Sequence, residues 1–189
     1  MEKAVSSRWY GPASLSAAEL YLVHGFAHTA RPKFARASAI ALSRLGDGWV
    51  YPAIGIVSLL VGGFEAIAVI AAGMLNALVL HSLYPVIKRL VARPRPYERD
   101  ATLVPLLRAL DRHSFPSGHA MTLPAALVPL GLQFPLTIGL AFATALLMAW
   151  ARLACAHQYP SDVAVGTALG VGESYPISMY ALAASRLVS

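Results

Sequence analysis

The sequence predicts an all-α membrane protein, a polytopic bundle of five to six transmembrane helices with polar sites at the helix ends. Of its 189 residues, 57% are hydrophobic and only 13% are charged, whereas a soluble domain averages about 25% charged residues. Long runs also carry no charge at all, and a membrane-spanning helix needs about 20 mostly apolar residues. Both observations favour an integral membrane protein over a soluble one.

Five segments have the length and composition of spans. Charged residues bound most of them, for example Asp47 and Glu65 around the first and Glu65 and Lys88 around the second. The uncharged run 120–151 is interrupted by proline, glycine and glutamine, which predicts two helices joined by a tight turn near 131–135. The predicted spans are about 48–63, 65–90, 117–131, 135–152 and 162–186.

The N-terminal part is less clearly a span. Residues 14–29 contain Glu19 and two histidines, so they form either an interfacial helix or a sixth span packed against its neighbours. Residues 33–45 are basic and amphipathic and are expected at the membrane surface. We therefore predict a single membrane-embedded domain over 1–189, with an N-terminal amphipathic or first-helix region at 1–46 and a core at 47–187. Small residues within the spans predict close helix contacts, at Gly62, Gly63, Gly73, Gly166, Gly170 and Gly172.

The net charge of +6 narrows the choice of partner. A basic balance indicates nucleic acid, anionic lipid or an anionic substrate. Nucleic acid is not expected, because the uncharged runs leave no basic soluble domain. Cys155 is the single cysteine, which excludes an intrachain disulfide.

Three polar clusters stand out from this apolar background. They are Lys88–Pro96, Ser114–His119 and Arg152–Asp162. If the spans alternate in direction, all three clusters lie at helix ends on one membrane face. Each has an ordinary alternative explanation: basic residues flank spans and reach toward headgroups, and an acidic residue suits a helix N-terminus. Three such clusters on one face favour a common site.

Phosphate chemistry accounts for the residue types. Three cationic side chains meeting at one place repel each other unless an anion lies among them, and phosphate satisfies them by charge-assisted hydrogen bonds. Ser117 and Gly118 open a predicted helix, where backbone N–H groups favour an anion. His119 is placed to deliver a proton to a leaving oxygen. The clusters therefore predict a site that holds and transfers a phosphoryl group.

These residues resemble the type 2 phosphatidic acid phosphatase superfamily, whose motifs are K-x6-RP, PSGH and SR-x5-H-x3-D. Lys88–Pro96 and Pro116–His119 match the first two motifs fully. The resemblance implies a six-helix membrane fold, no metal, no cofactor and a phosphohistidine intermediate. It also implies that His119 protonates the leaving group and that Asp162 orients the nucleophile. The phosphate-binding residues that it implies are Lys88, Arg95, Ser117, Gly118 and Arg152.

The third motif departs from the family pattern. Arg152 and Asp162 have the family separation, but the nucleophile position between them is Gln158, and a histidine stands one residue earlier at His157. One residue turns a helical side chain by about 100°, so His157 is a poor substitute, and an amide is not a nucleophile. Either an inactivating substitution was introduced or the protein is a natural pseudo-phosphatase. The intact catalytic positions elsewhere favour the first explanation.

The predicted function is hydrolysis of a lipid phosphate or diphosphate in the bacterial inner membrane. Candidate substrates are an isoprenyl phosphate or diphosphate, phosphatidylglycerol phosphate, phosphatidic acid or a lipid-linked sugar phosphate. Two alternatives remain: a non-catalytic lipid-phosphate binder and a lipid phosphotransferase. Apart from the substrate and membrane lipids, no partner is predicted, and the sequence does not indicate an oligomeric state.

Two indications disagree on which side of the membrane carries the site. With six spans, 12 of the 15 lysines and arginines lie on the face of the site, which by the positive-inside rule is cytoplasmic. The resemblance to bacterial family members implies an outward-facing site instead. The residues counted on the opposite face are Lys3, Arg8 and Arg186.

Overall fold

A computed structural model describes residues 13–187 of the chain. These residues form nine α-helices and no strand, so the all-α prediction is confirmed. A π-helical turn, Leu45–Trp49, joins α2 to α3, and a 3-10 turn, Pro135–Thr137, precedes α8. The helices are α1 Ala13–Thr29, α2 Lys33–Arg44, α3 Val50–Gly62, α4 Glu65–Val91, α5 Pro96–Arg99, α6 Gly118–Thr122, α7 Pro124–Gln133, α8 Ile138–Ala154 and α9 Pro160–Arg186.

Three helical stretches within the described residues are long and apolar enough to cross a membrane. They are Lys33–Gly62, Glu65–Arg99 and Pro135–Ala154. The predicted turn near 131–135 is present, because α7 ends at Gln133 and α8 begins at Ile138. The predicted number of five to six spans stays a prediction: the segment at 117–131 consists of two short helices, and α9 is long but more polar.

The centre of the bundle is formed by α4, α6, α7 and α9, which pack closely on one another. Asn76 of α4 is fully buried there. Its amide nitrogen donates to the carbonyl oxygen of Ala125 at 3.2 Å and to the hydroxyl of Ser178 at 2.9 Å. Because water is scarce at this depth, such interhelical hydrogen bonds tie helices together, and Asn76 links α4 to both α7 and α9.

Small residues set the spacing of these helices. A Cβ atom added to Gly166 of α9 would lie 2.8 Å from the carbonyl oxygen of Ser117, and one on Gly170 would collide with the carbonyl of Met121. The predicted close contacts are therefore confirmed where α9 crosses α6. They are wrong for Gly63 and Gly172, where an added Cβ meets nothing within 4 Å. The crossing brings the two polar motifs that begin α6 and α9 side by side.

The segment predicted to lie at the membrane surface continues into a span. Helix α2 passes through the π-helical turn into α3, and Gly48 within that turn has φ 137°, a value that favours glycine. The turn lies against α6: a Cβ on Gly46 would overlap the ring of His119. The junction between α2 and α3 thereby forms one wall of the polar site.

Candidate active site

The ends of α4, α6 and α8 and the loops before α6 and α9 enclose a cavity of about 150 Å³. All three sequence motifs contribute to its lining, as does the junction between α2 and α3. This convergence agrees with the prediction, made from the order of the spans, that the three clusters share one face of the bundle. The predicted site residues that line the cavity are Lys88, Arg95, Gly118, His119, Arg152 and Gln158.

The first motif supplies two buried cations. Lys88 lies in the last turn of α4, and its ammonium donates to Asp111 Oδ1 at 3.1 Å and to the carbonyl of His113 at 2.8 Å. Arg95 precedes α5 and donates to the same Asp111 oxygen at 2.6 Å and to the carbonyl of His157 at 2.8 Å. The loop residue Asp111 therefore bridges the two cations.

The charge of Asp111 follows from these neighbours. Burial raises the pKa of its carboxyl group, but the positive charges of Lys88 and Arg95 and their hydrogen bonds outweigh burial, so that the pKa lies below its usual range. Asp111 is accordingly ionised at neutral pH. The sequence motifs gave no signal for it, because it lies in the irregular loop between them.

The second motif begins α6. Ser117 is fully buried, its hydroxyl accepts from the backbone N–H of Ala120 at 3.4 Å, and its own N–H donates to the carbonyl of Asp162 at 3.0 Å. Ser117 is not among the described residues that line the cavity, whereas Gly118 is. The phosphate-binding role of Ser117 stays a prediction, and the contacts seen are those of a helix cap.

His119 faces the junction between α2 and α3. Its Nε2 lies 3.0 Å from the carbonyl oxygen of Ser43 and 3.0 Å from Asp47 Oδ1. The sequence motifs did not include Ser43 or Asp47. Their signal was weak, a Gly-Asp-Gly break in an amphipathic helix, which is more often a simple turn.

Arg152, at the end of α8, is the third cation. Its side chain is buried, and one terminal nitrogen donates to the hydroxyl of Ser43 at 2.7 Å. The Nε atoms of Arg152 and Arg95 are both buried and have no hydrogen-bond partner. An unsatisfied buried donor carries a desolvation penalty, and here two of them belong to cations that line one cavity.

Position 158 faces the cavity and position 157 does not. The Gln158 amide, in the orientation that satisfies its neighbours, donates to the carbonyl of Ser114 and accepts from Arg95 at 3.2 Å. The His157 ring turns the other way: its Nε2 contacts the carbonyl of Leu107 at 2.9 Å, and the ring meets Tyr97 edge-on. Burial, followed by the charge of Arg152, lowers the pKa of His157 to about 4.

Asp162 is fully buried in the first turn of α9. One oxygen accepts from Arg93 at 2.6 Å, and the other accepts from the backbone N–H of Tyr159 at 2.8 Å. Gln158 uses Ser114 and Arg95 rather than Asp162. The role of Asp162 in orienting a nucleophile at 158 therefore stays a prediction.

Arg93 is another residue near the site that the motif comparison passed over. It is 2% exposed, its guanidinium also pairs with Glu19 of α1, and it lies 3.8 Å from the centre of the Tyr159 ring. Glu19 in turn accepts from the backbone N–H of Ser161 at 3.0 Å. The available signal was an acidic residue in an otherwise apolar helix, which usually faces a polar interior.

Comparisons with known proteins relate this chain to one family. The family model of the PAP2 superfamily matches residues 65–180. The decaprenylphosphoryl-5-phosphoribose phosphatases of two Mycobacterium tuberculosis strains, CDC 1551 / Oshkosh and H37Rv, are 39% identical over 95 residues, which are 50% of this chain and 51% of each relative. The chain thus spans about half the length of the curated relatives it matches.

A solved structure has the same fold. The crystal structure of a transmembrane PAP2-type phosphatidylglycerolphosphate phosphatase from Bacillus subtilis superposes with a TM-score of 0.67. The superposition covers 89% of this chain and 86% of that protein, at 18% sequence identity. At this identity the likeness concerns the fold, and it agrees with the helical membrane architecture.

Proposed function

This chain belongs to the PAP2 superfamily, and from that premise we propose that its cavity binds the terminal phosphate of a membrane lipid. The observation that carries the proposal is the pair of buried, unpartnered Nε donors on Arg95 and Arg152. An anion in the cavity that these two side chains line would offset the repulsion of two buried cations and could accept hydrogen bonds from their guanidinium groups. A phosphate group has the charge and the several acceptor oxygens that this arrangement requires.

The site is suited to phosphoryl transfer in the following way. With histidine at position 158, the imidazole would attack phosphorus, an N–P bond would form and the P–O bond to the lipid would break. Burial, followed by the charge of Arg152, lowers the pKa of His119 to about 3, and the negative charge of a bound phosphate would raise it again, so that His119 gives a proton to the departing lipid oxygen. Water then returns a proton to His119 as it cleaves the N–P bond to release inorganic phosphate. The cations that line the cavity stabilise the charge on the phosphoryl oxygens throughout.

Gln158 interrupts this sequence at its first step. An amide nitrogen is not a nucleophile, and His157 points away from the cavity toward Leu107. We therefore propose that the chain as given binds lipid phosphate and hydrolyses it at most slowly, and that histidine at 158 restores phosphatase activity. This same observation favours the second candidate function, a lipid-phosphate binder without turnover.

We propose polyprenyl-linked phosphates as the first substrate class, because the relatives at 39% identity are named as phosphatases of a decaprenyl-linked phosphoribose. The cavity of about 150 Å³ has room for a phosphoryl group and the atoms attached to it. The lipid and any sugar would then lie along the grooves and loops outside it.

A panel of radiolabelled lipids tests these assignments. It contains a polyprenyl-linked sugar phosphate, an isoprenyl diphosphate, phosphatidylglycerol phosphate and phosphatidic acid, each offered to the purified full chain and to Gln158→His. Binding by the chain and phosphate release by Gln158→His support the proposal. A labelled acceptor lipid would indicate a phosphotransferase, and failure of both proteins to bind any of the lipids would contradict the assignment.

A further inference from the structure

The loop residue Asp111 forms ion pairs with two of the cations that a phosphate would contact. Its Oδ1 atom accepts from Lys88 at 3.1 Å and from Arg95 at 2.6 Å. Asp111 itself lines the cavity, and its side chain is 38% exposed. A negative charge thus lies within the site proposed to bind an anion.

We propose that Asp111 is an internal counter-ion which a ligand's phosphate has to displace, and that this competition keeps abundant phosphodiester headgroups out of the cavity. The inference rests on the proposed function and deepens it, since it concerns which phosphates bind. It assigns to Asp111 a role in specificity rather than in the chemical step.

The hydrogen bonds of Arg95 show why displacement is required. One terminal nitrogen serves the carbonyl of His157 and the amide oxygen of Gln158. The other terminal nitrogen serves the carboxylate and the carbonyl of Asp111. Only Nε is without a partner. A phosphate that binds the guanidinium through two parallel hydrogen bonds, the favoured geometry, has to take a terminal nitrogen from Asp111.

The side chain of Asp111 is also positioned to move away from the cations. It belongs to the irregular segment between α5 and α6, and its carboxylate is partly exposed to solvent. Rotation of the side chain moves the carboxylate outward, where water screens its repulsion of the ligand. Of the other two acidic groups nearby, Asp47 also lines the cavity but contacts His119, and Asp162 pairs with Arg93. Asp111 is therefore the acidic group that pairs with Lys88 and Arg95.

The competition sets a threshold for binding. Breaking the contacts of Asp111 costs every phosphate ligand the same factor in affinity. A terminal phosphate monoester or diphosphate carries about two charges at neutral pH and is attracted to the cations about twice as strongly as a singly charged phosphodiester. The shared cost therefore raises both dissociation constants by the same factor. The doubly charged ligand, which binds more tightly to begin with, stays bound, and the diester headgroups that surround the protein do not.

Substitution of Asp111 should strengthen phosphate binding if Asp111 competes with the ligand, and weaken it if Asp111 holds the cations in place. We expect Asp111→Asn in the purified full chain to bind inorganic phosphate about tenfold more tightly, measured by calorimetry in detergent at pH 8. Short-chain phosphatidylglycerol, a phosphodiester, should inhibit that binding in Asp111→Asn at about tenfold lower concentration than in the unchanged protein. Asp111→Ser should behave in the same way, and it serves if the asparagine variant does not fold. Asp100→Asn, an acidic neighbour outside the cavity, is the matched control.

Each outcome decides a part of the proposal. Weaker or unchanged phosphate binding by both Asp111 variants, with unchanged thermal unfolding, would mean that Asp111 supports the cations or is idle, and would overturn the counter-ion role. Tighter phosphate binding without greater inhibition by phosphatidylglycerol would overturn the exclusion of headgroups. Failure of the unchanged protein and both variants to bind phosphate would overturn the proposed function as well. None of these readouts depends on turnover, so a catalytic failure in the lipid panel stays separate.

Discussion

The guanidinium of Arg93 donates to the carboxylate of Asp162 at 2.6 Å, and both side chains are almost completely buried. The same guanidinium reaches Glu19 on α1 and the Ser161 hydroxyl at 2.7 Å. This network connects the first helix, the loop after α4 and the start of α9. The network fixes the backbone immediately beyond position 158. The shape of the site therefore depends on Arg93, which is not one of the predicted phosphate-binding residues.

Removal of Arg93 should destabilise the fold. Arg93→Ala leaves two buried carboxylates without their cation, and breaking a buried pair in this way costs about 3–5 kcal/mol. We expect a large fall in the thermal unfolding temperature of the detergent-solubilised protein. The exposed neighbour Arg99→Ala should change it little. Equal effects of the two substitutions would contradict the network.

Arg152 should govern binding rather than folding alone. Because Arg152 lines the cavity and its Nε lacks a partner, we expect Arg152→Ala to weaken phosphate or vanadate binding by about 2–5 kcal/mol. Isothermal titration measures this directly. Arg99→Ala is again the control, and a variant series in which Arg99→Ala abolishes binding while Arg152→Ala does not would show that the site is misassigned.

Acid should destabilise the protein through His157. Its pKa is about 4 in the folded protein and about 6.5 when unfolded, so the unfolded state takes up the proton first. The contribution of His157 to stability is therefore complete above pH 6.5 and is lost as the pH falls toward 4, with a total of about 3 kcal/mol. His157→Gln should reduce the slope of the unfolding free energy over this range, and the exposed His28→Gln should not; the remaining slope comes from His119, whose pKa burial lowers to about 3. A pH profile unchanged by His157→Gln would contradict the buried, neutral histidine.

The count of basic residues predicts a cytoplasmic active site, although two of the three opposing charges, Lys3 and Arg8, lie outside the described residues. Cysteine labelling tests this. Ala101 is exposed in the loop beside the site, and Cys155 is fully buried, so Ala101→Cys provides a single accessible thiol. We expect no reaction with a membrane-impermeant reagent in intact cells and full reaction after permeabilisation. Labelling in intact cells would place the site on the outer face.

The sequence motifs located the cations of the cavity because charged residues are costly in an apolar chain and therefore mark function. Lys88, Arg95, His119 and Arg152 line one cavity, as their positions at helix ends predicted. The close contact at Gly166 was equally predictable, since small residues at helix crossings have a steric cause.

Other parts of the site depend on tertiary contacts that no local pattern encodes. Asp111 lies in an irregular loop, and its partners are 16 and 23 residues away in the chain. Glu19 and Ser43 approach the site only because α1 and α2 fold back against α8 and α9. Their sequence neighbourhoods resemble an interfacial helix, and this local reading concealed their contacts with Arg93 and Arg152.

The most direct test of the whole account is the activity of Gln158→His. We predict that the chain as given releases phosphate near the background rate, that Gln158→His forms a labelled phosphoenzyme and turns over, and that His157→Ala in that background changes little. Loss of a hydrolase nucleophile costs roughly 10⁶ in rate, so the gain should be of many orders of magnitude. Brisk turnover by the chain as given, abolished by His157→Ala, would contradict the account and make His157 the nucleophile.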